Sequence, residues 1–180
     1  VSVFGGTGYT GVELIRLLLN HPNVEIYQIT SRNDKGKRVD ELYPSFRGVL
    51  NNILVSPEDA DLTNVDIVFF ATPNGIAMNY AEGLIEAGKL VIDLAADFRI
   101  KEQGIWEKWY GVEHKSPNLI NKAVYGLPEI NRDSIKKSKL VANPGCYPTA
   151  IQLALIPLLE KKLISSTNII ADAKSGISGA

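Results

Sequence analysis

The chain has 180 residues, of which 45% are apolar and 22% are charged, and its formal net charge is −1 at pH 7. This composition is typical of a globular protein and lacks the basic excess that nucleic-acid binding requires. The longest apolar stretches, residues 67–71 and 151–159, are too short to cross a bilayer, so no membrane partner is expected. A single cysteine cannot form an internal disulfide, which favours the reducing cytoplasm.

A glycine-rich turn follows the first apolar run. Residues 1–4 are predicted to form a β-strand, residues 5–11 read Gly-Gly-Thr-Gly-Tyr-Thr-Gly, and the apolar spacing of residues 12–20 predicts a helix. Strand, glycine turn and helix together are typical of a dinucleotide-binding unit. Gly5, Gly8 and Gly11 would allow the tight turn, the approach of a pyrophosphate and the packing of helix on strand. The helix N-terminus would supply N–H donors for the phosphates.

The end of the second predicted strand indicates the type of cofactor. Residues 24–30 are rich in branched and aromatic side chains and are followed by Ser31 and Arg32. An NAD-specific fold usually has an acidic residue here, for the ribose 2′-hydroxyl. A hydroxyl and a guanidinium can instead bind a 2′-phosphate, so the sequence predicts NADP. A solvated turn is the alternative interpretation.

The third predicted strand lies in the middle of the fold. Residues 66–71 form a nearly continuous apolar run, as expected for a parallel strand covered on both faces, and a helix is predicted at residues 76–87. Ligands of open α/β sheets bind at the carboxyl ends of the strands. Pro73, in the loop of residues 72–75, is therefore expected to line the nicotinamide half of the site. A plain tight turn is equally compatible with the loop.

The fourth predicted strand, residues 90–94, precedes two charged residues. Asp97 and Arg99 could hold a substrate carboxylate or phosphate, or could fix the loop through local hydrogen bonds. The aromatic residues of the next segment are expected to anchor an excursion of the chain onto the domain. His114 lies among polar neighbours and is expected to be solvated.

The only cysteine follows a further predicted strand, residues 139–142, and opens an apolar helical run at residues 150–163. A thiolate is favoured at the first turn of a helix, where N–H groups lack partners and the helix dipole is positive. Cys146 is therefore predicted to be a nucleophile, at the sheet edge that also carries the glycine turn. The alternative is a small buried hydrophobe. Residues 167–174 are predicted to begin another strand.

Five motifs together resemble one enzyme family. They lie at residues 5–11, 92–99, 125–129, 143–149 and 172–180. On these motifs the chain resembles the N-acetyl-gamma-glutamyl-phosphate reductases. The resemblance implies an α/β fold with a mostly parallel, doubly wound Rossmann sheet for NADP at residues 1–146. It also implies the beginning of an α+β catalytic domain, similar to that of glyceraldehyde-phosphate dehydrogenase, at residues 147–180.

The resemblance also implies roles for individual residues. The family's nucleophile falls on Cys146, its general-acid histidine matches neither histidine of this chain, and part of the active site is therefore expected outside it. Asn143 and Arg99 are candidates for substrate binding. Contacts to NADP are implied or expected for the following residues: Gly5, Thr7, Gly8, Tyr9, Thr10, Gly11, Ser31, Arg32, Pro73, Ser175 and Gly176.

The implied reaction is the NADPH-dependent reduction of N-acetyl-gamma-glutamyl phosphate to N-acetyl-glutamate 5-semialdehyde in arginine biosynthesis, through a thioester on the cysteine. The family's members are generally homo-oligomers, and no metal-ligand spacing is present. Two alternatives stay open. One is the same chemistry on a carrier-bound aminoadipyl phosphate or on aspartyl phosphate, and the other is a non-catalytic NADP-sensing module.

Overall fold

The computed structural model describes residues 1–179, which divide into two compact units, Val1–Asn143 and the residues from Pro144 onward. The first unit contains one sheet of six parallel strands in the order β2-β1-β3-β4-β6-β5. The strands are β1 (Ser2–Phe4), β2 (Gln28–Thr30), β3 (Ile67–Phe70), β4 (Leu90–Asp93), β5 (Val124–Tyr125) and β6 (Leu140–Ala142). Its α-helices are α1 (Tyr9–Leu18), α2 (Val39–Leu42), α3 (Ala77–Glu86), α4 (Gln103–Tyr110), α5 (Pro117–Ile120) and α6 (Pro128–Lys137), and it has two 3-10 helices, Pro44–Phe46 and Pro57–Asp59.

The strand order confirms the predicted doubly wound α/β fold. From β1 the chain crosses through α1 to β2 on one side, and β3 pairs with β1 on the other side. The direction of winding therefore reverses at β1, and such a switch point opens a crevice at the carboxyl ends of the strands. Both the glycine turn after β1 and the loop after β3 lie at this crevice.

Two hydrophobic clusters form the core of the first unit. One contains Phe4 and Phe70, and the other contains Val3 and Ile29, with Phe69 packed against it. Neighbouring residues of a strand thus belong to different clusters, because successive side chains point to opposite faces of a sheet. Both faces are covered, which explains why β3 is apolar along its whole length.

Two sequence-based expectations about strands were wrong, and one strand was not predicted. The strand expected at residues 24–30 is limited to Gln28–Thr30, because β1 offers partners only to these three residues. Val124–Tyr125 forms an edge strand that its short, mixed sequence did not indicate. Residues 167–174 form no strand, since the second unit contains no other strand to pair with them.

The second unit is built around helix α7 (Cys146–Glu160), which begins four residues earlier than its apolar run indicated. None of its residues is fully buried. A short 3-10 helix, Ile177–Gly179, follows later in the unit. Within residues 1–179, no helix is both long and apolar enough to cross a membrane. The same residues contain no group of three or more His, Cys, Asp or Glu side chains that could hold a metal ion.

Candidate functional site

Two glycines of the turn after β1 are required by the protein itself. Gly5 has a φ of +80°, and a Cβ atom added there would lie 2.4 Å from the carbonyl oxygen of Ala71. A Cβ at Gly11 would lie 2.3 Å from the carbonyl oxygen of Gly5. At Gly8 the nearest atom would be 3.8 Å away, and the residue is exposed. The fold therefore leaves open space at Gly8, where a bound ligand would need a bare backbone.

The first turn of α1 has free donors next to this space. Gly8 is the N-cap residue in an extended conformation, no side chain caps the helix, and its first turn contains no acidic residue. The backbone N–H of Val12 is bonded to the carbonyl of Gly8, whereas the N–H groups before it have no partner four residues back. Uncapped N–H groups beside an open glycine fit the pyrophosphate of a dinucleotide.

The end of β2 is tied to the glycine turn through side chains. The hydroxyls of Thr7 and Ser31 lie 2.9 Å apart, and Tyr43 Oη donates to the carbonyl of Thr7 at 2.5 Å. Ser31 is almost fully buried, and Arg32 is exposed. Ser31 thus lies at the turn as expected, but the sequence gave no indication of Tyr43, which is 36 residues away in the chain.

The loop after β3 lies directly beside the glycine turn. The N–H of Ala71 donates to the carbonyl of Phe4 at 2.8 Å, and Gly5 packs against Ala71. Thr72 Oγ1 is buried without a hydrogen-bond partner among the described residues, and Pro73 is exposed. The strand predicted from the apolar pattern pairs with β1, and this pairing brings residues 72–75 to the crevice. Their contact with nicotinamide stays a prediction.

Two buried carboxyl groups organise the loop after β4. Asp93 accepts the N–H groups of Ala95 and Asp97 at 2.9 and 3.1 Å. Asp97 accepts the N–H groups of Gly75 and Met78 at 2.7 and 3.0 Å, so it stabilises the start of α3 from outside that helix. Both carboxyl groups are fully buried. The loop after β3 and the loop after β4 are therefore joined by hydrogen bonds.

Burial has a clear effect on the first of these carboxyls. Desolvation, and then the charge of Asp97, raise the pKa of Asp93 to about 7. The backbone N–H groups and Arg99 act in the opposite direction without reversing the effect. Near neutral pH the loop after β4 is therefore held by a carboxyl that is partly protonated.

His114 is buried, so the expectation that it is solvated was wrong. Its ring packs edge-on against Phe98 and Trp106, and 2% of its surface is exposed. Its Nδ1 accepts the N–H of Ser116, so Nε2 carries the proton and donates to the carbonyl of Asp97 at 2.8 Å. The polar neighbours in sequence were misleading because the packing surface comes from residues at least eight positions away.

The two substrate candidates of the first unit lie in contact. Arg99 Nε donates to the carbonyl of Asn143 and its Nη2 donates to the carbonyl of Leu94, both at 2.7 Å. The N–H of Asn143 donates to the carbonyl of Asp93 at 2.8 Å. Asp97 and Arg99 therefore both fix the loop, which is one of the two roles that the sequence allowed. Substrate contact by Arg99 and Asn143 stays a prediction.

Cys146 is the first residue of α7, and its side chain is exposed. Gly145 precedes it in an extended conformation, and its carbonyl accepts both the N–H and the hydroxyl of Thr149. No side chain caps the helix. The thiol is thus accessible beside uncapped N–H groups, unlike the buried hydrophobe that was the alternative. Ser175 and Gly176 are exposed residues of the same unit.

Comparisons with protein-family models give two matches. Residues 1–138 match the semialdehyde dehydrogenase NAD-binding domain, and residues 146–180 match the semialdehyde dehydrogenase dimerisation domain. Solved structures agree on the fold. Aspartate semialdehyde dehydrogenase II from Vibrio cholerae is 22% identical with a TM-score of 0.67, and the alignment covers 89% of this chain and 42% of that one. The enzyme from Candida albicans, solved with NADP, is 19% identical with a TM-score of 0.61, over 89% and 46% of the two chains.

Curated relatives are more similar in sequence. Proteins named N-acetyl-gamma-glutamyl-phosphate reductase from Laribacter hongkongensis and Thiobacillus denitrificans are 60% and 57% identical to the chain. Each alignment covers 100% of this chain and 53% of the relative. The chain therefore spans about half the length of the curated relatives that it matches. With a family model matched over most of its length, the chain belongs to the semialdehyde dehydrogenase family.

Proposed function

We propose that the protein reduces N-acetyl-gamma-glutamyl phosphate to N-acetyl-glutamate 5-semialdehyde and phosphate, with NADPH, in arginine biosynthesis. The relatives that carry this name support the substrate. The structural observation that carries the proposal is the exposed Cys146 thiol at the uncapped first turn of α7. Since the chain spans about half the length of those relatives, the activity is proposed for the whole protein, with the general acid outside residues 1–180 as the resemblance implies.

The contacts to NADP expected from the sequence are part of this proposal. The glycine turn would bind the pyrophosphate through Gly8 and the first N–H groups of α1, and Ser31 and Arg32 would bind the 2′-phosphate. Pro73, Ser175 and Gly176 are proposed to lie near the nicotinamide. When bound, NADPH supplies the hydride that reduces the acyl group to the aldehyde level.

Cys146 would divide the reaction into two steps. Its thiolate attacks the carbonyl carbon of the acyl phosphate, the carbon–oxygen bond to phosphate breaks, and phosphate leaves with the electron pair, so that a thioester remains. After reduction, the thiohemiacetal breaks its carbon–sulfur bond, which releases the semialdehyde and returns the electron pair to sulfur. The N–H groups at the start of α7 would stabilise the oxyanion, an effect worth about 3 kcal/mol per donor in other enzymes.

Arg99 and Asn143 are proposed to bind the substrate. A guanidinium has five N–H donors, and two of those of Arg99 are bonded to backbone carbonyls. The others remain for an acyl phosphate, and the two fixed bonds would orient the planar group toward it in advance.

We further infer a homo-oligomer in the cytoplasm. The match of residues 146–180 to a dimerisation domain supports association between copies. A reducing compartment is favoured because a nucleophilic cysteine must remain a free thiol.

Substituting Cys146 by Ser tests the proposed mechanism in the full-length protein. The expected result is loss of semialdehyde formation below about one thousandth of the wild-type rate, because a neutral hydroxyl is a far weaker nucleophile. Binding of NADPH, measured by fluorescence titration, should stay within about twofold, since the serine keeps the size of the side chain. Retained turnover would refute the role of Cys146.

The substrate is tested separately in the reverse direction, by the phosphate-dependent reduction of NADP with different aldehydes. N-acetyl-glutamate 5-semialdehyde is expected to react at a higher kcat/KM than aspartate semialdehyde. A higher kcat/KM with aspartate semialdehyde would contradict the proposed substrate and indicate aspartyl phosphate instead. Cofactor binding with no reaction of any semialdehyde would favour the sensing module instead.

A further inference from the structure

We infer that Asp34 helps to determine cofactor specificity, because its charge repels the 2′-phosphate of NADPH. The preference for NADPH over NADH is therefore smaller than Ser31 and Arg32 alone would produce. The inference rests on the proposed binding of a nicotinamide dinucleotide to the glycine turn. It concerns a residue that the sequence pattern did not single out. Its carboxylate accepts a hydrogen bond from Ser31, one of the two side chains expected to receive the 2′-phosphate.

The position of Asp34 is defined by contacts to the glycine turn. Ser31 Oγ donates to Asp34 Oδ2 at 3.2 Å, and the same Ser31 oxygen lies 2.9 Å from Thr7 Oγ1. The negative charge of Asp34 is also close enough to Tyr43 to contribute to the raised pKa of that phenol, after desolvation. Tyr43 donates to the carbonyl of Thr7. Asp34 therefore lies at the turn, although it follows the end of β2 by four residues.

Counting protons on the hydroxyl groups shows the consequence for a phosphate. An ionised carboxylate only accepts, so the proton of Ser31 Oγ points to Asp34. Thr7 Oγ1 must then donate to Ser31. Both hydroxyl protons are thus used within the protein. For Ser31 to bind a 2′-phosphate, which can only accept, it must first give up its hydrogen bond to Asp34, and this loss weakens the binding of NADPH. A ribose 2′-hydroxyl can donate and is therefore compatible with the carboxylate.

The carboxylate is ionised and cannot easily withdraw. A hydrogen bond from Lys37 lowers the pKa of Asp34, with smaller help from Ser31. Lys37 offsets part of the negative charge, but its side chain is 54% exposed, so water screens this offset. The loop itself is fixed, because the N–H of Lys37 bonds to the carbonyl of Asp34 and the N–H of Gly36 bonds to that of Leu54.

The test compares Asp34→Asn with wild type and with Asp59→Asn in the full chain. The amide keeps an oxygen that can accept from Ser31 but removes the charge. Asp59 makes a comparable ion pair with Lys35 and accepts a hydrogen bond from Ser56, whereas no hydrogen bond joins it to Ser31 in the described structure, so it serves as the matched control. Isothermal titration calorimetry with NADPH and with NADH gives the dissociation constants directly, without turnover.

Removing the charge is expected to lower the Kd for NADPH about fivefold, the size of one repulsion between a phosphate and a carboxylate a few ångströms apart in a wet site. The Kd for NADH should rise or stay constant, and Asp59→Asn should leave the ratio of the two constants unchanged. The gain for NADPH should shrink as salt is added.

Two results would overturn the inference, and they differ from failure of the proposed function. If wild type binds a nucleotide and Asp34→Asn leaves the NADPH to NADH ratio constant, the carboxylate does not set specificity. If Asp34→Asn instead weakens NADPH selectively, the residue supports the phosphate. If wild type binds neither nucleotide, the proposed cofactor fails, and the inference fails with it.

Discussion

Asp93 shows how a single buried group can make the stability of the fold depend on pH. It lies at the carboxyl end of β4, and both of its oxygens accept backbone N–H groups of the following loop. Its pKa is raised to about 7, above the usual value of 3.8. The folded chain therefore binds more protons than the unfolded chain between about pH 4 and pH 7. The stabilisation is complete below pH 4 and is lost as pH rises through 7.

Replacing Asp93 by Asn should remove this dependence. The amide cannot ionise, so the variant, which loses one acceptor, is expected to be less stable than wild type at pH 5. At pH 8, where wild type carries a buried charge, the free energies of unfolding of wild type and variant should differ by about 2 to 3 kcal/mol less than at pH 5. Urea unfolding at the two pH values measures the change. The exposed Asp133 provides the control, since the free energy of unfolding of Asp133→Asn should change between the two pH values as it does in wild type. An equal change in the free energy of unfolding with pH in Asp93→Asn and wild type would contradict this account.

At the scale of elements, the glycines of the turn after β1 have different roles: some are required by the packing of the protein, and one leaves space for a ligand. Gly11 packs against the backbone of Gly5 and Gly6, where a methyl group would overlap main-chain atoms. Gly8 has a φ of −82°, which any residue adopts, and open space beside it. The same residue type thus has two different reasons to be present, three positions apart.

Alanine substitutions should distinguish these reasons. Gly11→Ala is expected to lower the free energy of unfolding by about 1 to 3 kcal/mol, the usual cost of overpacking. Gly8→Ala should cost less than about 1 kcal/mol, because glycine is only a moderate N-cap residue. It should nevertheless weaken NADPH binding at least tenfold, as its methyl group would occupy the phosphate site. Wild-type affinity in Gly8→Ala would show that no phosphate approaches this residue.

Elements with strong local patterns could be predicted from the sequence, and contacts between distant segments could not. The glycine turn and β3 carry their signals within a few residues, so both could be predicted along with a ligand site at the carboxyl ends of the strands. The strand order that makes β1 the switch point could not. Tyr43 and His114 act through partners that only the folded chain brings near. Asp34 bonds to Ser31, three residues away, but it reaches the glycine turn only because Ser31 contacts Thr7, 24 residues away. Residues 167–174 have the composition of a strand but no partner in their unit, and a strand is not formed by composition alone.

At the scale of the whole molecule, the two units differ in where their stability can originate. The first unit has a complete sheet and two hydrophobic clusters, and all buried hydrophobic residues of the described chain lie at or before Ala142. Helix α7 is apolar and has no fully buried residue. Since burial of apolar surface is the dominant favourable term in folding, the first unit has what it needs to fold by itself.

A chain truncated to residues 1–143 should therefore unfold cooperatively. Its melting temperature, followed by circular dichroism at pH 6, is expected within about 5 °C of that of the 180-residue chain, because the core clusters are intact. The truncated chain should also keep the pH dependence that Asp93 imposes, since Asn143 still donates to the carbonyl of Asp93 and the loop of Asp97 is unchanged. A broad, non-cooperative transition would show that residues after Pro144 complete the core, and the loss of pH dependence alone would locate their effect at the carboxyl end of β4.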